Sequence, residues 1–150
     1  MSTYTQIIYQ VVFGSKDYVA FLTKHNETDL YSYVAGILSG KKCHPYILGG
    51  YGNHLHLVFY LHPGIPLSRL VRDIKKASHE MMKKQQEEYY LFPGWQVGYG
   101  AFTYSIKELD RLEKYVKEQW SHHKRMTFRE ELVQMYREMD IDFEEKYFLI

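Results

Sequence analysis

The sequence predicts an α+β domain, an antiparallel four-stranded sheet with helices packed on one face. Three observations predict it. β-branched and aromatic runs recur at residues 5–13, 43–48, 54–61 and 95–104. Longer segments with apolar residues three and four apart fill the gaps at 17–39 and 67–88. Two capping signatures open further helices near the end. A chain of 150 residues suits one domain with its own core.

The elements follow in order. Residues 5–13 (Thr-Gln-Ile-Ile-Tyr-Gln-Val-Val-Phe) read as the first strand. Val19, Leu22, Leu30, Val34 and Leu38 give 17–39 a helical spacing, with an interruption at Asn26 to Asp29 and a stop at Gly40. The second strand runs from about Cys43 to Leu48, and Gly49-Gly50-Tyr51-Gly52-Asn53 reads as a tight turn. His54 to Leu61 is the third strand, ended by His62-Pro63-Gly64. Residues 67–88 form a long helix, and Trp95 to Tyr104 a fourth strand loosened by Gly98 and Gly100. Ser105-Ile106-Lys107-Glu108 is a capping-box pattern, so a helix to about Trp120 follows. Thr127-Phe128-Arg129-Glu130 repeats that signature before a last helix to about Met139. The order β-α-β-β-α-β, then two helices, is the ferredoxin-like arrangement.

Composition narrows the class. The 19 basic and 18 acidic residues nearly cancel, so any nucleic-acid contact must rest on local patches. Cys43 is the only cysteine, which excludes an internal disulfide and a cysteine-rich zinc cluster and fits a reducing cytoplasm. The N-terminus shows no basic region followed by an apolar run, so no secretory signal is expected. No stretch approaches the ~18 apolar residues of a membrane span. A soluble cytoplasmic protein is the expectation.

Side chains alternate along a strand, so His54, His56, Val58 and Tyr60 share one face and Leu55, Leu57, Phe59 and Leu61 the other. The all-apolar face should meet the helices, leaving the histidine face free to line a site. Two imidazoles at this spacing can hold one metal ion, with a further ligand from elsewhere. The pattern also suits two ordinary histidines on the polar side of a half-buried strand.

On the helix after Ser105, Ile106, Leu109, Leu112, Val116 and Trp120 form the apolar stripe. Tyr115 falls roughly 120° from the stripe's centre and Gln119 roughly 80° from it. They are i,i+4 neighbours on its shoulder, readable as a cleft-facing pair or as an amphipathic edge. With 15 tyrosines in the chain, rarity does not select Tyr115. Chemistry gives the pair a sharper meaning. A phenol of pKa ~10 is a poor nucleophile at neutral pH. A metal polarising the phosphate oxygens lowers the barrier to its attack. Gln119 can add a neutral oxygen to the two histidine nitrogens, and such a mixed set suits Mg²⁺ or Mn²⁺, Mn²⁺ matching imidazole better.

Four segments carry a resemblance in order and spacing over most of the chain: Gly52-Asn53-His54-Leu55-His56-Leu57-Val58, Gly98-Tyr99-Gly100-Ala101-Phe102-Thr103, Tyr115-Val116-Lys117-Glu118-Gln119, and His122-His123-Lys124-Arg125-Met126-Thr127-Phe128. The chain resembles the HUH single-strand DNA endonucleases. Within them it is similar to the single-tyrosine transposases of small bacterial insertion sequences and their relatives associated with repetitive extragenic palindromes (REP). The resemblance implies a ferredoxin-like homodimer that binds hairpins. It implies cleavage and rejoining of single-stranded DNA through a 5′-phosphotyrosine intermediate with a free 3′-hydroxyl. It assigns the metal to His54, His56 and Gln119 and the attack to Tyr115, with the tyrosine helix often completing the site of the other subunit. Asn53 stands where many relatives carry Asp, so a carboxylate that would orient the His54 ring is replaced by an amide. No nucleotide cofactor is expected, since each step exchanges one phosphoester for another.

For DNA contacts, Arg69, Arg72, Lys76, His79 and Lys83 make one mostly basic stripe opposite Leu70, Ile74 and Met81. Lys124 and Arg125, with His122 and His123, form a second cluster suited to phosphate or solvent. Metal binding by His122 and His123 together is not expected, because adjacent helical residues diverge by about 100°. Tyr51 and Trp95, if exposed, would stack on unpaired bases. Three other readings remain at this point: a domesticated nuclease that cuts without transposing, a non-catalytic nucleic-acid binder, and a zinc hydrolase.

Overall fold

The computed structural model describes residues 2–144. Its sheet has four strands, β1 (Ile8–Gly14), β2 (Pro45–Tyr51), β3 (His54–Tyr60) and β4 (Gly100–Tyr104), in the order β2-β3-β1-β4. Every pairing is antiparallel. This is the ferredoxin-like order expected from the sequence. The hydrophobic runs therefore place β1 and β3 at the centre, where both edges are hydrogen-bonded.

Helices cover both faces, not one. On the first face, Val11, Phe13, Leu55, Leu57 and Phe59 pack under α1 (Glu27–Gly40) and α2 (Leu67–Lys84), which contribute Leu30, Val34, Leu38, Leu70 and Ile74. On the second face, Ile8 and Val58 meet Leu112 and Val116 of α4 (Leu109–Lys117). Val12 and Phe102 meet Phe128, Leu132 and Met135 of α6 (Phe128–Glu138). The histidine face is thus closed over rather than free. β1 explains this, because its apolar residues point to both sides and both need cover.

Other boundaries shift for local reasons. The helix expected at 17–39 begins only at Glu27. Before it lie a short 3₁₀ turn at Lys16–Tyr18 and a bend in which Asn26 Oδ1 accepts from Thr23 N. Gly49 and Gly50 belong to β2, and only Gly52-Asn53 makes the turn, with Gly52 at φ +58°. A Cβ on Gly49 would come within 2.9 Å of the Val116 carbonyl oxygen, so glycine is what lets α4 lie against β2. α2 ends at Lys84 and a separate turn, α3 (Gln86–Tyr89), follows.

The fourth strand is shorter than expected. Trp95 makes an isolated bridge to Ser15, while Lys75 Nζ holds the carbonyls of Gln96 and Gly98 and curls the chain between. Trp95 is core, donating from its indole to Ser78, so it is not a stacking surface for bases. The Ser105 capping box forms around a 3₁₀ turn. The following helix breaks at Glu118, and α5 (Gln119–His122) continues it. Thr127 caps α6 by accepting from Glu130 N. Among the described residues no helix is long and apolar enough to cross a membrane.

Candidate metal and nucleophile site

The site is built where β3 passes beneath α4, α5 and α6. His54 and His56 are fully buried on the second face of the sheet. Their Nδ1 atoms are held from the strand side. Asn53 Oδ1 lies 2.9 Å from His54 Nδ1, and the Asn53 amide donates to the Tyr18 carbonyl. The asparagine thus performs the orienting role of a carboxylate. Gln10 on β1 does the same for His56, with its Oε1 2.7 Å from Nδ1 and its Nε2 donating to the Tyr104 hydroxyl. In both pairs the amide oxygen faces the ring, so Nδ1 carries the proton and Nε2 presents its lone pair to the interior. Phe128 stacks on His54 with ring centroids 4.0 Å apart. Gly14 leaves the room for it, since a Cβ there would meet the Phe128 ring at 2.7 Å.

Both Nε2 atoms converge on a residue the sequence reading did not identify. Glu131 of α6 is 1% exposed, and its Oε1 lies 3.0 Å from His56 Nε2 and 3.2 Å from His54 Nε2. Its Oε2 accepts from Gln119 Nε2 at 3.0 Å and from the Tyr115 hydroxyl. Gln119 Oε1 sits 3.1 Å from His54 Nε2. The structure therefore brings together His54, His56, Tyr115 and Gln119, and adds Glu131. A sequence signal for it existed. Glu131 falls on the apolar stripe Phe128, Leu132 and Met135 of α6, where an unpartnered acid is costly. Gln119 is fully buried, deeper than the shoulder position helix geometry suggested, because the break at Glu118 turns it inward.

The electrostatics favour a cation. Burial drives the His54 pKa down to about 4, against the pull of Glu131, so His54 is neutral at physiological pH. Burial alone would raise the Glu131 carboxyl, but the imidazoles of His56, His123 and His54 around it hold it well below the usual carboxylate range. Two imidazole lone pairs and a carboxylate oxygen facing one another repel unless positive charge lies between them. His54, His56 and Glu131 each offer one ligand atom, all within 4.8 Å of one another. Adjacent ligands around an ion at ~2.1 Å are separated by about 3 Å, which matches the Nε2 to Oε1 spacings. Two nitrogens and an oxygen fit a divalent cation that keeps open positions.

The environment of Tyr115 is as specific. Its hydroxyl is pushed above the ordinary phenol pKa by burial first, then by the Glu131 charge and hydrogen bond. The ring stands beside His56 and His122. His123 is not a solvated residue. Its Nε2 lies 3.0 Å from Gln119 Oε1 and 3.2 Å from Glu131 Oε1, and its ring stacks on Tyr51. His122 points elsewhere, as the 100° divergence requires. Lys124 and Arg125 are exposed and line a cavity with Asn53 and His123, at the rim of the site. Arg69, Arg72, Lys76 and Lys83 are exposed on α2, across the sheet from the histidines, and are not brought to the site.

Comparisons with known proteins give a family and a fold. The family described as "Transposase IS200 like" matches residues 3–119. No curated protein matches the chain. Among solved structures, a candidate transposase from Deinococcus radiodurans R1 is similar at 17% identity and a TM-score of 0.61, covering 79% of this chain and 95% of that one. A REP-associated tyrosine transposase, bound to a REP hairpin, is similar at 17% identity and a TM-score of 0.58, covering 82% of this chain and 74% of that one.

Proposed function

The chain belongs to the IS200-like transposase family, and from that premise we propose that it cleaves and rejoins single-stranded DNA with Tyr115 as the nucleophile. The observation that carries this reading is the bond from the Tyr115 hydroxyl to Glu131, the same carboxylate that faces His54 and His56. Nucleophile and candidate metal ligands thus share one buried group.

His54, His56 and Glu131 would hold a divalent metal, with Gln119 Oε1 beside them as a neutral oxygen ligand. Mg²⁺ and Mn²⁺ fit this donor set, and the bound ion supplies charge that polarises the scissile phosphate. The protein's own groups do the rest. Asn53 and Gln10 keep the imidazole lone pairs aimed inward. Glu131 Oε2 accepts the Tyr115 hydroxyl hydrogen bond and fixes the direction of the oxygen that attacks. The new bond joins Tyr115 Oη to phosphorus, and the bond from phosphorus to the 3′-oxygen breaks. The products are a 5′-phosphotyrosine and a free 3′-hydroxyl. A 3′-hydroxyl from another strand reverses the step, so no nucleotide cofactor is required.

Lys124 and Arg125, beside Asn53, would contact the backbone near the scissile phosphate. The α2 stripe of Arg69, Arg72, Lys76 and Lys83 would form a second phosphate-binding face on the other side of the sheet, suited to a hairpin stem. The homodimer that the resemblance implies is part of this reading. Light scattering of the active protein tests it, and a monomer at working concentration would count against a site shared between subunits. The central test is incubation with single-stranded DNA from the flanks of its gene, with Mn²⁺ or Mg²⁺. A denaturant-stable adduct that requires metal and Tyr115 supports the reading. Metal-dependent cleavage that survives Tyr115→Phe would replace it with hydrolysis, and binding without any cleavage with a non-catalytic role.

A further inference from the structure

A cavity of about 570 Å³ opens beside Tyr115, between α4 and α6. Gln10, Tyr115 and Glu131 are part of its lining, so it opens onto the candidate site, and no step above uses the part beyond them. Its size is that of a small-ligand pocket. Its walls combine three rings, Tyr104, Tyr115 and His122, with the thioethers of Met126 and Met135. Flat, polarisable surfaces of this kind receive π-faces.

Away from Tyr115 and Glu131, its charge is wrong for phosphate. Glu108 and Glu138 stand in the lining, and the one cation there, Arg111, is already bonded to Glu108 at 3.2 Å. A phosphodiester in the part away from Tyr115 and Glu131 would meet the Glu138 carboxylate with no free cation beside it. A nucleobase is neutral and carries N–H groups that carboxylates accept. The polar groups agree. The Tyr104 hydroxyl accepts from Gln10 Nε2, which leaves its own proton for a ring nitrogen or carbonyl. In the same wall His122 Nε2 is shut from solvent and has no hydrogen-bond partner. Its ring stands 4.8 Å from that of Tyr115, centroid to centroid.

We propose that this cavity binds one unpaired nucleobase adjacent to the scissile phosphate, turned out of the strand and held among Tyr104, His122, Met126 and Met135. The proposal rests on the strand-cleavage reading and adds the part of the substrate that enters beside the nucleophile. A captured base fixes which phosphate lies over Tyr115, so the cavity sets the register of cleavage.

The test is ¹³C-methyl-methionine NMR with two single-stranded probes, an oligodeoxyadenylate octamer and an abasic octamer of equal length, with affinity followed by fluorescence anisotropy. The adenylate octamer should shift the Met126 and Met135 methyls and leave Met81 and Met82, on the buried face of α2, unmoved. The abasic octamer should bind roughly tenfold more weakly and leave Met126 and Met135 in place. His122→Ala should weaken the adenylate complex and not the abasic one. Equal shifts from both octamers would overturn the proposal, as would bound adenylate with unshifted Met126 and Met135. Failure to bind either octamer would overturn it, while the strand-cleavage reading stands or falls by the Tyr115 adduct on gene-flank DNA. The expected shifts without any Tyr115 adduct on gene-flank DNA would leave the cavity assigned and sink the cleavage reading alone.

Discussion

Tyr115 and Glu131, sixteen residues apart on different helices, share a hydrogen bond at the centre of the second face of the sheet. The other oxygen of Glu131 faces two imidazole nitrogens. Glu131→Gln keeps the shape of the side chain and removes its charge. Mn²⁺ affinity measured by calorimetry should fall by at least about tenfold, the loss seen even for groups that only support a ligand. Adduct formation should fall with it. Unchanged Mn²⁺ affinity would take Glu131 out of the ligand set.

Tyr115→Phe separates binding from chemistry. The ring stays beside His56 and His122, so DNA affinity should hold within about threefold, while the covalent adduct disappears. Glu131 Oε2 keeps its bond from Gln119 Nε2, so the carboxylate is not orphaned. Denaturation of the metal-free variant should show a loss of about 1 kcal/mol, the worth of one ordinary hydrogen bond. A loss of several kcal/mol would mean that the Tyr115 bond, and not the histidines, holds Glu131 in place.

Acid should loosen the metal-free protein through His54. Its pKa is about 4 in the folded chain against 6.5 when unfolded, so between those values the unfolded state binds more protons. Stability is therefore fully present above pH ~6.5 and is lost as pH falls toward 4. The gap corresponds to about 3 kcal/mol for this fully buried group. Glu131 adds to the loss below the ordinary carboxylate range, because its folded pKa is also depressed. Urea denaturation at pH 7, 5.5 and 4.5 reads the slope, and His54→Gln should flatten its part above pH 5. A flat profile in the wild type would contradict a neutral buried His54.

Spacing alone grouped residues in pairs, and the family resemblance joined the pairs into one site. Alternation placed His54 and His56 on one face, and helical periodicity paired Tyr115 with Gln119. Glu131 was not legible as a partner because its contacts with His54 and His56 span more than seventy residues and depend on how α6 docks. What the sequence did hold was an acid inside an apolar stripe. Gly49 and Gly50 read as a turn because glycine permits turns, yet here it permits the close approach of a helix. That requirement arises only once α4 is in place. The second covered face was written in β1, whose Ile8 and Val12 point away from Val11 and Phe13.

Gly49→Ala tests that close approach. The new Cβ would sit 2.6 Å from Val116 Cγ1 and 2.9 Å from the Val116 carbonyl oxygen, and the latter is backbone and cannot rotate away. α4 must lift, carrying Tyr115 and Gln119 with it. Overpacking of this kind costs about 1–3 kcal/mol. The sharper expectation is functional, a fall in adduct rate at saturating DNA with the protein still folded by circular dichroism. Gly36→Ala, where a Cβ meets nothing within 4 Å, is the control and should change neither. Equal activity in both variants would show that the tyrosine helix tolerates displacement.

The two groups of surface cations should separate by the step they affect. Lys124 and Arg125 adjoin Asn53 at the rim of the site, while Arg69, Arg72, Lys76 and Lys83 lie across the sheet on α2. Each phosphate contact on a single strand contributes a slope of ~0.7 in log K against log salt. Replacing Lys124 and Arg125 by Ala should lower that slope by about 1.4 on an unstructured single strand. The adduct rate at saturation should fall as well, since the scissile phosphate loses its neighbours' restraint. Replacing the four α2 cations should weaken a hairpin-bearing strand more than an unstructured one and leave the saturated rate unchanged. If the α2 variant instead slows the saturated step, the stripe acts on the scissile strand, and the path of DNA around the sheet must be redrawn.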